Sequence, residues 1–148
     1  MQAFQGERIF PLAPEQLWPK LRDAAFLANC IPDGKPHASA TRDKSVCTVQ
    51  PGFSFMRGSL DITIEVVAGN EPTTLRFKLV SKGIGSSSEV TSSLTIAKHE
   101  IGSKVDWHAE VTNLGGLLKM IPDGLIRGAA KKVIEDVWTG IAAKLSAV

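Results

Sequence analysis

The sequence has little of what stabilises or drives several large classes of protein. Its 148 residues include two cysteines, Cys30 and Cys47, with 16 residues between them and no C-x-x-C spacing. Disulfide scaffolds and cysteine-rich zinc modules are therefore unsupported, and two buried thiols in a reducing compartment are the plain reading. No stretch approaches the about 18 consecutive apolar residues of a membrane-spanning helix. The opening Met1-Gln2-Ala3-Phe4-Gln5-Gly6-Glu7-Arg8 lacks the apolar run of a secretory leader, so the expected location is cytoplasmic. Charge of one sign is not concentrated: 17 Lys and Arg stand against 15 Asp and Glu, a net charge of +2. Lys131-Lys132 is the only adjacent basic pair. Nucleic-acid binding needs a dense basic surface that releases counterions, so no nucleic-acid partner is expected.

Catalytic signatures are equally sparse. No G-x-S-x-G, P-loop or dinucleotide fingerprint occurs, and Gly83-Ile84-Gly85 is too little to cradle a phosphate. The histidines, His37, His99 and His108, lie on separate segments and make no metal motif by themselves. His108 shares one strand phase with Asp106 and Glu110, opposite Val105, Trp107, Ala109 and Val111. A solvated polar stripe is the favoured reading there, and a metal or proton-transfer site the alternative. His99 reads as a turn residue, and His37 as a residue bordering a cavity mouth. No cofactor, metal or catalytic residue is assigned.

What the sequence does contain is a good core. Apolar residues make up 43% and charged residues 22% of the chain, the balance of a globular protein. This length suits one domain, 1–148, and folding removes about two-thirds of the exposed area.

Residues 3–10 read as a strand, ended by Pro11 and Pro14. Pro14 suits a helix first turn, and Pro19 keeps the helix carrying Leu17, Trp18 and Leu21 short or kinked. Asp23 caps a second short helix through Leu27 and Cys30, closed by Pro32 and Gly34. Strands follow at 45–49, then along Leu60-Ile62-Ile64-Val66, Leu75-Phe77-Leu79, Val90-Ser92-Leu94-Ile96 and Val105-Trp107-Ala109-Val111. Turns are expected at Gly69-Asn70-Glu71-Pro72, at Gly83 and Gly85, and from Gly115 to Met120. The connections are too short for crossover helices, which argues for an antiparallel meander.

From 122 to 145 the period changes to about 3.6. Ile126, Ala130, Val133, Val137, Ile141 and Leu145 recur, and Ala129, Ile134, Trp138 and Ala142 widen the stripe. A helix of about 24 residues spans roughly 36 Å, so the sheet must curl around it. The expected fold class is α+β, a curved antiparallel sheet wrapped around a long C-terminal helix, with two short helices after the first strand. Glycines at 58, 83 and 85 permit the bends.

A bent sheet and one helix leave room between them, and an apolar ligand gains roughly 25 cal/mol per Å² buried there. A filled core is the competing reading. The expected lining is Trp18, Phe77 and Trp107, with Leu125, Ala129 and Val133 from the helix. Ile31 and Asp33 belong to the loop after the second helix, and Phe53 and Phe55 to an apolar lip after Pro51-Gly52. Arg57 and Arg76 would meet a carboxylate if turned inward. Leu117-Leu118-Lys119-Met120-Ile121 is a lid, partner surface or shallow membrane contact, with plain core packing as its competitor.

The arrangement resembles the START/Bet v 1-like (SRPBCC) superfamily, the helix-grip fold. Within it, the chain resembles the CoxG family, named for the G subunit of carbon monoxide dehydrogenase. The likeness rests on Phe4-Gln5-Gly6-Glu7-Arg8, Ala13-Pro14-Glu15-Gln16-Leu17-Trp18 and Leu27-Ala28-Asn29-Cys30-Ile31-Pro32. It continues through Met56-Arg57-Gly58-Ser59-Leu60, Asn113-Leu114-Gly115-Gly116-Leu117 and Gly128-Ala129-Ala130-Lys131-Lys132. Where the family commonly has Pro-Gly, this chain has Pro32-Asp33-Gly34. The resemblance implies either a small hydrophobic or amphipathic ligand held without catalysis, or an accessory role for a molybdenum-containing dehydrogenase or its membrane surface. A cyclase or hydrolase using the same cavity, with Asp33 or His37 at its mouth, is the third possibility.

Overall fold

Strict two-residue alternation builds the sheet, and the change of period after residue 121 builds the helix that it holds. The computed structural model describes residues 2–31, 34–38, 40–50, 58–83 and 85–146. In chain order the elements are β1 (Ala3–Phe10), α1 (Pro14–Leu21), α2 (Ala24–Asn29), β2 (Lys35–Pro36), β3 (Lys44–Val49), β4 (Leu60–Asn70), β5 (Thr74–Gly83), β6 (Ser86–Lys98) and β7 (Ser103–Gly116). A single 3-10 turn (Leu117–Met120) then leads to α3 (Asp123–Ser146). The strands form one antiparallel sheet in the spatial order β1-β7-β6-β5-β4-β3-β2. Hairpins make every neighbour pair except β1 with β7, which closes the first strand against the last. The sheet curves around α3, the helix-grip arrangement expected from the sequence.

Local chemistry explains the elements. Pro14 occupies the start of α1, where its missing N–H costs nothing, and Pro19 lies inside a helix of only 8 residues. The Asp23 carboxylate accepts from the backbone N–H groups of Ala25 and Phe26 at 3.0 and 3.3 Å, the cap α2 needs. The turn at His99 is closed in both directions with Gly102. Positive φ occurs at Gly83 (147°), Gly85 (66°) and Gly116 (62°), where the β5–β6 corner meets the end of β7.

Three expectations need correction, and one short strand carries no signal in the sequence. The strand β4 continues through Gly69 to Asn70, because Gly69 lies flat against Leu75 and the Trp18 ring, and the turn starts only at Glu71. Gly115 belongs to β7 rather than to the following turn. Lys35–Pro36 makes a short edge strand that no apolar pattern announced. Val133 is 39% exposed and lies at the margin of the α3 stripe, whose buried line is Ile126, Trp138, Ile141 and Leu145.

The core centres on the second half of α3. Trp138 stacks on Trp107 at 6.1 Å and meets Phe10 at 6.2 Å between ring centroids. Leu17, Leu21, Leu75 and Val105 are fully buried around them. Buried hydroxyls are satisfied: Ser45 donates to the Ala24 carbonyl at 2.7 Å and Ser103 to the Leu12 carbonyl at 2.6 Å. Both cysteines are buried and free.

Candidate functional site

Strand register sorts the concave face into rows of cross-strand neighbours. One row is Ile62, Ser81, Ser88 and Leu114, and the next is Ile64, Leu79, Val90 and Val111. Further along come Val66, Phe77, Ser92 and Ala109, then Leu75, Leu94 and Trp107. Burial is uneven across these rows. Leu75 (0%) and Leu94 (5%) are buried. Ile62, Leu79, Ser81, Ser88, Val90 and Leu114 keep partial exposure although they point to the inside of the curl. On α3, Ala130, Ile134 and Val137 are half-buried as well.

The half-exposed patch is apolar apart from its serines, and it carries no acid or base. Ser81 and Ser88 join hydroxyl to hydroxyl at 2.5 Å, and Ser92 donates to the His108 carbonyl at 3.1 Å. The patch thus offers neutral polar atoms within apolar walls.

The expected site residues are spread over the fold. Trp107 lies half-buried in the aromatic cluster, its ring directly over Gly6. Phe77 is buried at 6% exposure in the row beyond the patch. Trp18 sits at the far end of β4 and β5, where its indole N–H donates to the Thr74 carbonyl at 2.9 Å. Ile31 packs against the core after α2, and Ala129 is half-buried on α3. Leu125 is 52% exposed, and Val133, 39% exposed, lies at the margin of the buried stripe. Asp33, Phe53, Phe55 and Arg57 lie outside the described residues. Of the segment after β7, Leu118 is buried and Ile121 half-buried, whereas Leu117 and Met120 are 52% and 80% exposed.

Polar candidates lie on the outside. Asp106, His108 and Glu110 are all exposed, as a solvated stripe requires. Arg76 is exposed too. His37 is exposed, with its Nε2 2.7 Å from the Thr48 hydroxyl, which itself donates to Asp61 at 2.7 Å. Lys78 pairs with Glu89 at 2.9 Å and Lys104 with Glu7 at 3.1 Å; hydrogen bonding to those carboxylates raises both lysines above their ordinary range. Burial pushes the Cys30 thiol up to about 11 and Cys47 upward in the same sense. Among the described residues no group of three His, Cys, Asp or Glu is placed to hold a metal. Among them, also, no helix is long and apolar enough to cross a membrane.

The serines of the concave face were not singled out by the sequence. The run 86–88 reads as a loop or strand start, and only the pairing of β5 with β6 brings Ser88 opposite Ser81.

Solved structures share this architecture. A conserved protein from Geobacillus kaustophilus superposes with a TM-score of 0.82 at 20% identity, covering 98% of this chain and 95% of its own. Protein Ms6760 from Mycobacterium smegmatis gives 0.69 at 12% identity, covering 98% and 91%. The AHSA1 protein from Silicibacter pomeroyi gives 0.66 at 16% identity, covering 98% of each. At these identities the likeness establishes the fold alone. No curated protein matches the sequence. The long terminal helix in a curved antiparallel sheet makes this a helix-grip protein of the SRPBCC superfamily. Residues 6–146 match the family of CoxG, the G subunit of carbon monoxide dehydrogenase, and the chain belongs to that family.

Proposed function

We propose that the protein is an accessory factor for a molybdenum-containing dehydrogenase, acting in its assembly or in placing it. The family match over residues 6–146 carries this reading. The surface is compatible with a transient partner: Leu117, Met120 and Leu125 are exposed in one stretch of chain that also exposes Lys119, Asp123 and Arg127. Removing the chain from its native cell tests the proposal. Dehydrogenase activity and molybdenum content should fall while the amount of dehydrogenase polypeptide stays constant. Unchanged activity and metal content would count against it.

A second reading has its own observation. Concave-face residues that are apolar or serine, among them Ile62, Leu79, Ser81, Ser88, Val90 and Leu114, keep partial exposure inside the curl. They favour binding of a small hydrophobic or amphipathic molecule, which an accessory factor can carry or sense. Native mass spectrometry of gently purified protein is the check. An added mass that organic solvent removes is expected, and recovery of the bare chain alone speaks against the reading.

A further inference from the structure

The three glycines of α3 do not serve one purpose. An added Cβ at Gly140 would run into the backbone carbonyl of Cys30, so glycine is required where α3 crosses the end of α2. At Gly124 and Gly128 an added Cβ meets nothing within 4 Å. Neither position needs glycine for packing, and neither has a positive φ that would explain it. Gly128 lies in the exposed helix interior, where glycine costs about fivefold in helix stability relative to alanine, and Gly124 lies in the first turn, where it costs less, so the first half of α3 is weakened without any gain in packing.

Tertiary support is thin in the same half. Of residues 123–133, Ile126 alone is buried, whereas the second half holds Trp138, Ile141 and Leu145 at 7%, 3% and 2% exposure. The first half is held by an exposed hydrogen bond from Gln2 Nε2 to the Asp123 carbonyl at 3.0 Å and by Arg127 stacked 4.8 Å from the Phe4 ring. The preceding 3-10 turn is anchored through Leu118 and one backbone hydrogen bond from Leu117 to Gly85. That turn sits where β7 ends, next to Leu114 of the half-exposed patch.

We propose that residues 117–133 form a gate that opens by local unfolding or hinging while residues 134–145 stay clamped. Low-stability segments with few buried contacts open in this way without global unfolding. That the gate controls entry to the concave face rests on the ligand-binding reading above; the opening itself does not.

The test is peptide-resolved amide hydrogen exchange on the full chain, together with stopped-flow uptake of the neutral apolar fluorophore N-phenyl-1-naphthylamine. In the unsubstituted protein, residues 123–133 should exchange at least about tenfold faster than 134–145 under native conditions. The double substitution G124A/G128A should slow exchange of 123–133 about tenfold, leave 134–145 unchanged and slow fluorophore uptake. The exposed substitution Lys131→Gly should act in the opposite direction, by about fivefold. Equal protection of both halves, or equal slowing of both by the alanine pair, would overturn the gate. Selective opening with no fluorophore bound at any concentration would support the gate and refute the ligand-binding reading.

Discussion

Gly6→Ala tests the aromatic clamp at its tightest point. An added Cβ at Gly6 would lie 2.7 Å from Trp107 Cζ2, 2.9 Å from Cε2 and 3.0 Å from Nε1. Ordinary contact begins near 3.4 Å, so the indole must withdraw by about 0.7 Å (3.4 − 2.7). Its movement is limited on one side, because Trp138 stacks on it at 6.1 Å and is itself held against Phe10 at 6.2 Å. Overpacking of this kind costs about 1–3 kcal/mol. Relief of glycine's excess unfolded-state entropy returns about 0.5–1 kcal/mol. The net expectation is a loss of about 1 kcal/mol, which for a chain of this size lowers Tm by roughly 2–4 °C. Thermal melts followed by far-ultraviolet circular dichroism measure the loss, and the near-ultraviolet tryptophan bands report displacement of the indole pair. A Tm equal to or above that of the unsubstituted protein, with unchanged tryptophan bands, would refute the packing argument.

Trp138→Ala removes the centre of the same cluster and should cost about 3–5 kcal/mol by urea denaturation, with Trp138→Phe closer to the parent. Asp23→Ala leaves two N-terminal N–H groups of α2 without their acceptor and should cost about 1 kcal/mol, whereas Asp23→Asn should retain most of the cap. Desolvation pushes Cys30 from its ordinary 9.0 up to about 11, with Lys144 pulling weakly the other way. A raised thiol value means that the folded state holds the proton longer, so this contribution is complete below pH 9 and is lost as pH rises from about 9 to about 11. Stability should therefore decline over that window by about 2–3 kcal/mol more in the parent than in Cys30→Ala, measured as the difference between their urea midpoints. Parallel alkaline profiles for the two proteins would contradict the burial argument.

Much of the fold was legible because each element states its period clearly. Leu60-Ile62-Ile64-Val66 and Val105-Trp107-Ala109-Val111 can put their apolar side chains on only one face, and residues 122–145 repeat only at helical spacing. Asp23 ahead of a short apolar run announced the α2 cap. The edge strand Lys35–Pro36 gave no signal, since two residues carry no period. Gly69 and Gly115 read as turns because glycine favours turns, but Gly69 lies within its strand, close against Leu75 and the Trp18 ring.

The candidate site was less legible for a geometric reason. Alternation assigns a face within one strand but does not say which residues of different strands stand side by side. The pairing of β6 with β7 shifts between Glu89 and Val90, leaving Thr112 as the extra residue and returning Leu114 to the phase of Val111. The row Ile62, Ser81, Ser88 and Leu114 exists only because of that irregularity. Exposed Leu125 and Val133 show the same limit on the helix, where a stripe about one turn wide has margins that the period alone does not resolve.

Chemical crosslinking of a native cell extract, with the 15.9 kDa chain recovered by affinity and its partners sequenced by mass spectrometry, bears most directly on the function. Crosslinks from Lys119, Lys131 or Lys132 to components of a molybdenum-containing dehydrogenase are the predicted result. Recovery of the chain free of any such component, in cells actively producing the enzyme, would contradict it.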